Sequence, residues 1–424
     1  MMDIFDRIKQ NPGPLGQFAD YGEGYFIFPR LEGPIGPRMK FQGREVIFWS
    51  ANDYLGLCNH PEVLEADAKA AAEYGMFYPM GARAMSGETD QHLQLERELA
   101  NFVNKESAYL LNFGYQGMVS TIDALTSRHD VIVYDSDSHA CIVDGVRLHM
   151  GKSFMYRHND MESFEKNIKR ATKVAEETGG GILVITEGVF GMTGQQGKLK
   201  EIAAFKSQYK FRLLVDDAHG FGTLGKTGAG AGEEQGCQDQ IDVYFSTFAK
   251  SMAGFGAFIA GDKEIIRYLK FNLRSQIFAK SLTMPMVIGG LKRLELLRTR
   301  PEIKAKLWEN VNKLQNGLKE RGFNLGNTNT CVTPVMMQGT PVEATLLVKD
   351  LRENFGIFTS VVVYPVIPKG MILLRLIPTA THTDAEINET LDAFDAIHDK
   401  LVNGYYKEQA DQLLKEQGLS FKPL

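Results

Sequence analysis

Thirty-four residues separate Asp216, in Val215-Asp216-Asp217-Ala218-His219, from the lysine that ends Ser246-Thr247-Phe248-Ala249-Lys250. A carboxylate and an amine paired this way suit amine chemistry on an electron-sink cofactor. The same stretch carries a competing pattern. Gly220-Phe221-Gly222-Thr223-Leu224-Gly225-Lys226-Thr227 satisfies G-x-x-x-x-G-K-[ST], the phosphate-cradling P-loop of nucleotide hydrolases. A P-loop follows a buried strand and opens a helix whose N-terminus faces the phosphates. The strand is there, as Phe211-Arg212-Leu213-Leu214-Val215, but the helix is not. Past Thr227 the chain reads Gly228-Ala229-Gly230-Ala231-Gly232, and each interior glycine costs a helix about 1 kcal/mol. Asp216 and Asp217 also place two carboxylates where a triphosphate needs positive charge. The nucleotide-hydrolysing reading is set aside on these grounds.

The elements that must position these residues alternate. Strand-like runs at 107–111, 130–134, 181–185, 212–215 and 242–245 are separated by helical stretches such as 92–103, 161–177 and 199–209. Apolar strands alternating with helices predict an α/β fold, a mostly parallel sheet covered on both faces. The division expected is an N-terminal arm (1–55, with a short strand at 45–49), a large domain (56–295) and a C-terminal α+β domain (296–424). In the last, helical stretches at 285–298 and 302–321 precede strands at 332–337 and 371–376 and a helix at 383–402.

An open α/β sheet binds ligands at the carboxyl ends of its strands. Here those ends run into Asn112-Phe113-Gly114-Tyr115-Gln116, Asp135-Ser136-Asp137-Ser138-His139, Thr186-Glu187-Gly188, Asp216 to His219 and Ser246 to Lys250. One crevice would collect an aspartate, two histidines, a hydroxyl and a lysine. Pyridoxal 5'-phosphate (PLP) asks for that set: an amine, a carboxylate for the pyridinium and phosphate donors.

On these residues the chain resembles the fold-type I PLP-dependent enzymes, and among them the α-oxoamine synthases. The resemblance is carried by Asn52-Asp53-Tyr54-Leu55-Gly56-Leu57, by 135–140 with Asp144-Gly145, and by Thr186-Glu187-Gly188-Val189-Phe190. It continues through 215–219, 247–250 and Arg375 with Ala380-Thr381-His382-Thr383, so it spans 52–383 in family order. It implies that Lys250 is the Schiff-base lysine and catalytic base, and that Asp216 partners the pyridinium. His139 would stack on the ring and polarise an incoming carbonyl, and His219 would bond the ring hydroxyl. Gly114, Tyr115 and Thr247 would hold the phosphate, while Arg375 and Asn52 would bind the amino-acid substrate. Gly191 and Gly220 stand where the family usually has serines, and Ala279 where a hydroxyl usually reaches the neighbouring subunit's phosphate. Lys280 is the residue placed to replace that contact.

The reaction the resemblance implies is decarboxylative Claisen condensation of a small α-amino acid with an acyl thioester. Tyr25-Phe26-Ile27-Phe28-Pro29-Arg30, Arg157-His158-Asn159-Asp160-Met161 and Ser281-Leu282-Thr283 are most similar to the bacterial serine palmitoyltransferase branch, which favours serine, a long-chain acyl-CoA (or acyl-carrier protein) and a place in sphingolipid biosynthesis. Glycine, alanine or cysteate as amino acid is the alternative, as is an aminotransferase. Many aminotransferases carry a phosphate-binding arginine eight residues past the lysine, where this chain has Phe258. The resemblance also implies a homodimer with shared active sites. Net charge of −5 offers no footprint for nucleic acid and leaves membrane contact at most peripheral. Four scattered cysteines, no apolar span of bilayer length and no signal-peptide core predict a cytoplasmic protein without a structural metal.

Overall fold

The structure is a computed structural model and describes residues 2–416 except 12, 17–18, 365–366 and 368–369. Its contacts form two compact units. One comprises Asn52–Trp308 with Asn327–Cys331, the other Met1–Ala51, Glu309–Gly326 and Val332–Leu424.

The larger unit is built on a seven-stranded sheet. Its strand order is Ser107–Leu111, Ala257–Gly261, Val243–Thr247, Arg212–Asp216, Ile182–Glu187, Val131–Asp135, Lys152–Tyr156. Ala257–Gly261 runs antiparallel to both its neighbours, and the remaining pairs are parallel. The alternation of side chains explains why the inner strands are apolar along most of their length. Val131, Val133, Val184, Leu213 and Val215 point into one core, and Ile132, Leu183, Ile185 and Leu214 into a second. A strand buried on both faces has no position free for a polar residue until it ends. The first core is closed by helices including Asp90–Phe102, Met161–Thr178 and Met284–Thr299, the second by Gly114–Leu125, Ala140–Leu148 and Lys263–Asn272.

Parallel register then sets the functional edge. Glu187 lies opposite Asp216, Asp216 opposite Phe245, and Tyr134 opposite Ile185, so Asp135, Glu187, Asp216 and Thr247 end their strands along one rim. Two strands of this sheet, Lys152–Tyr156 and Ala257–Gly261, are absent from the sequence-based expectation. The first alternates weakly at the sheet edge, and the second follows a glycine-rich turn that obscures its start.

In the smaller unit, Thr333–Gln338, Met371–Leu376 and Ser360–Val362 form a three-stranded antiparallel sheet. Arg44–Phe48 pairs in parallel with Ile357–Phe358, which groups the N-terminal residues with this unit. Its core gathers Trp49, Leu314, Leu347, Leu374 and Phe394, and Trp49 stacks on His382 at 4.0 Å with the rings 6° apart. Helix Asp384–Val402 starts at a capping box of Thr383 and Glu386. Among the described residues no helix is long and apolar enough to cross a membrane.

Candidate active site

A candidate phosphate corner forms where Ser107–Leu111 passes into helix Gly114–Leu125. Its N-cap, Phe113, contributes no side-chain cap, so the first-turn N–H groups at Gly114 and Tyr115 face outward, a ready anion site. Thr247 closes the corner. A Cβ on Gly114 would meet the Thr247 hydroxyl oxygen at 3.1 Å, so glycine is what lets strand end and helix start approach. The Thr247 hydroxyl donates to the Gly256 carbonyl (3.1 Å) and accepts from Ala249 N–H (3.2 Å). Beside it, Asn112 donates to the Lys280 carbonyl (2.6 Å), while the Lys280 ammonium lies 5.1 Å over the Phe77 ring.

The centre of the rim is acidic and buried. The Glu187 carboxylate accepts the backbone N–H of His139 at 2.5 Å. Burial, then the charge of Asp216, pushes the Glu187 carboxyl well above the ordinary range. Burial also raises Asp216, opposed by the fields of His139 and Lys250, the Ala218 N–H and the Cys141 thiol. Cys141 Sγ lies 3.9 Å from Asp216 and 3.0 Å from His139 Nδ1. Lys250 is half-buried at the head of a turn closed by Ala253 N–H to its carbonyl, with Ala253 at φ 43°. One amine, two buried carboxylates, one histidine and a candidate phosphate corner thus share the rim of a single unit. This donor set fits PLP.

Gly191 and Gly220, the two glycines expected to replace hydroxyl residues, both stand where a side chain has no room. His219 is tethered by the Tyr54 hydroxyl to Nδ1 at 2.7 Å. A Cβ on Gly191 would come within 2.4 Å of His219 Nε2. At the second, Gly220, a Cβ would meet the Asp217 carboxylate at 2.1 Å, and Cβ atoms on Gly188 and Gly230 would meet it at 1.9 and 1.8 Å. Asp217 is fully buried and accepts Ala231 N–H (2.8 Å) and the Tyr244 hydroxyl (3.0 Å). The rest of the glycine-rich loop is occupied likewise. Gly225 N–H bonds Glu234, and the Thr227 and Ala229 N–H groups bond Glu233. The first helical turn after it, Ala231–Glu234, has four residues.

Of the residues predicted from sequence, Gly114, Tyr115, His139, Asp216, His219, Thr247 and Lys250 all lie in the larger unit, and Asn52 stands half-buried two residues before Tyr54. Arg375 belongs to the smaller unit, buried on Met371–Leu376 between Pro334 and Ser360 of the flanking strands. Phe258 is buried among Phe221, Tyr244 and Phe248. Tyr54, Cys141 and Glu187 were not singled out, although Glu187 is legible in hindsight as a carboxylate ending the strand beside Asp216. Asp135, Asp137 and His158 lie close enough to share a cation, but His158 bonds Asp135 through Nδ1 (2.9 Å) and Gln195 through Nε2 (2.9 Å).

The sequence pattern of the family described as aminotransferase class I and II matches residues 44–394. The chain belongs to that family. Within it the chain is an α-oxoamine synthase, a PLP-dependent acyltransferase. It is 66% identical over 418 residues, 99% of this chain and 100% of the relative, to the cysteate-C-fatty acyltransferase of Capnocytophaga ochracea. Over 368 residues it is 35% identical to the serine palmitoyltransferase of Sphingobacterium spiritivorum, covering 87% and 90% of the two chains. Among solved structures, the serine palmitoyltransferase from S. paucimobilis with a bound PLP–myriocin aldimine superposes with a TM-score of 0.86 at 28% identity, covering 93% of this chain and 98% of that one. The fold is the α/β one expected from the strand pattern and the resemblance, a mostly parallel sheet in which Ala257–Gly261 alone runs antiparallel to its neighbours.

Proposed function

We infer that this α-oxoamine synthase condenses cysteate with a fatty acyl thioester, releasing CO₂ and free thiol. The observation that carries the reading is the end-to-end likeness to the C. ochracea cysteate acyltransferase, which outweighs the more distant likeness to the serine enzymes. Cysteate thus replaces serine, the amino acid favoured from sequence, and the condensation chemistry stands.

Bound PLP supplies an electron sink for negative charge developing at the substrate Cα. The chain's residues do the rest. Gly114 and Tyr115 N–H groups and the Thr247 hydroxyl hold the phosphate. Asp216 bonds the ring nitrogen, and a cation there relieves the burial cost that raises this carboxyl. His219, tethered by Tyr54, bonds the ring hydroxyl. The Lys250 amine anchors the cofactor and takes the Cα proton. His139 donates a hydrogen bond to the acyl carbonyl, and Arg375 and Asn52 bind the amino acid.

A second copy of the chain completes the assembly in this reading. Phe77, Met80, Met85, Phe113, Phe255 and Phe278 are exposed, and the backbone bonds Ser281 to Gly81 and Met284 to Tyr78 gather several of them beside the phosphate corner. Such an apolar surface suits an interface, and sedimentation should give a dimer.

The decisive experiment offers the holoenzyme cysteate, serine, glycine or alanine with acyl-CoA or acyl-carrier protein and follows thiol release. Cysteate should exceed serine in kcat/KM by at least about a hundredfold, because a site built for a polar group rejects analogues lacking it. Equal or better use of serine overturns the assignment. Lys250→Ala should abolish turnover with every amino acid.

A further inference from the structure

His139 does two jobs in this fold, and the first restricts the second. It is the N-cap of helix Ala140–Leu148, with φ −54° and ψ 149°, and its side chain accepts the backbone N–H of Cys141 at Nδ1 (3.3 Å). Caps are ordinarily Ser, Thr, Asp or Asn, whose oxygens always have a lone pair to offer. A histidine can cap only through a nitrogen that carries no proton. A backbone N–H can donate and never accept, so the direction of this bond is fixed. A neutral imidazole has one N–H and one lone pair, and the bond made by one nitrogen sets the state of the other.

Two neighbours hold the residue in place. Cys141 Sγ lies 3.0 Å from the same Nδ1, and its S–H donates to Asp216 at 3.9 Å. Burial, with the charges of Asp216 and Glu187, keeps that thiol protonated. Glu187 accepts the backbone N–H of His139 and so pins the residue from behind.

We propose that the first turn of this helix fixes neutral His139 as its Nε2–H tautomer, so that the imidazole presents a hydrogen-bond donor to the acyl carbonyl across the ring from the cap. The inference rests on the role given to His139 above and deepens it. No bond to hydrogen breaks: the proton remains on Nε2 while the carbonyl oxygen gains charge. Cys141 is accordingly a positioning residue, acting through His139.

The test is nitrogen NMR of the holoenzyme labelled with ¹⁵N-histidine. Of nine histidines, the signal set missing from His139→Asn is the one to read. The expected spectrum shows a lone-pair Nδ1 and a protonated Nε2. An Nδ1–H tautomer, or an even mixture, overturns the proposal. Cys141→Ala keeps the backbone N–H and should keep the tautomer. Cys141→Pro removes it at a first-turn position that tolerates proline. That variant should lose the tautomer preference, with kcat falling roughly ten- to hundredfold and the KM for cysteate little changed. Should Cys141→Pro fail to fold, the wild-type and Cys141→Ala spectra still decide. If His139→Asn condenses at the wild-type rate, the role of His139 fails while the tautomer stands. The opposite tautomer leaves the reaction intact and removes this inference alone.

Discussion

Replacing Asp217 by asparagine should make the protein more stable at neutral pH than at acid pH, relative to the wild type. Burial is the largest influence on this carboxyl and pushes it up to about 7 from an ordinary 3.8, opposed by Ala231 N–H and the Tyr244 hydroxyl and reinforced by the charge of Asp216. The unfolded chain releases this proton near 3.8, and the folded chain keeps it until about 7. Between those values the folded state binds more protons, so stability falls as pH rises through the window and is level above it. Roughly three pH units at ~1.4 kcal/mol each set the full effect at ~4 kcal/mol. Between about pH 5 and about pH 8, roughly 3 kcal/mol of it should appear, or roughly 5 °C in Tm for a unit of this size. Asparagine keeps an oxygen for Ala231 and Tyr244 and carries no charge. Thermal melts of both proteins across that range isolate the effect, because every other titrating group cancels in the difference. A gap between variant and wild type that stays flat with pH refutes the reasoning.

Gly191→Ser should drive the His219 ring off its Tyr54 tether at an overpacking cost of about 1–3 kcal/mol, read as weaker PLP retention in a cofactor titration; unchanged retention would show that the ring has room. Arg83 and Glu96 form a buried pair at 2.9 Å, with Leu110 N–H also on the carboxylate. Glu96→Ala leaves the buried guanidinium only Glu88, at 3.7 Å, as an acidic partner among the described residues, and should cost about 3–5 kcal/mol in denaturant unfolding. Thr383→Ala removes one half of a capping box and should cost about 0.5–2 kcal/mol, with Thr383→Ser restoring most of it.

The strands of the large sheet were legible because burial on both faces forbids polar interruptions. Ser107–Leu111 and Met371–Leu376 coincide with their apolar runs, and helix Asp384–Val402 begins one residue after its expected start at Thr383. Ala257–Gly261 was hidden because its residues read as one apolar stretch with the turn before it, and nothing local reveals an antiparallel neighbour. Helix Pro341–Asn354 was missed although Thr340 and Glu343 form a capping box at its start. The site separates the same way. Polar residues ending apolar strands were visible as a set, whereas the Tyr54–His219 bond and the Cys141–His139 cap depend on distances that no spacing encodes. Gly191 and Gly220 looked like lost hydroxyls; in three dimensions they are clearances for His219 and Asp217.

The loop from Gly220 to Thr227 has a consequence for how such patterns are interpreted. The N–H groups of Phe221, Gly222, Thr223 and Leu224 donate to backbone carbonyls, and those of Gly225 and Thr227, which a nucleotide phosphate could have used, donate to Glu234 and Glu233. The consensus is thus a signature of anion reception, blind to whether the anion arrives from solution or is wired into the chain. In this protein the receptor is sold with its ligand attached. A search for nucleotide sites by that pattern will keep returning such self-satisfied loops unless it also asks whether acidic residues wait just downstream.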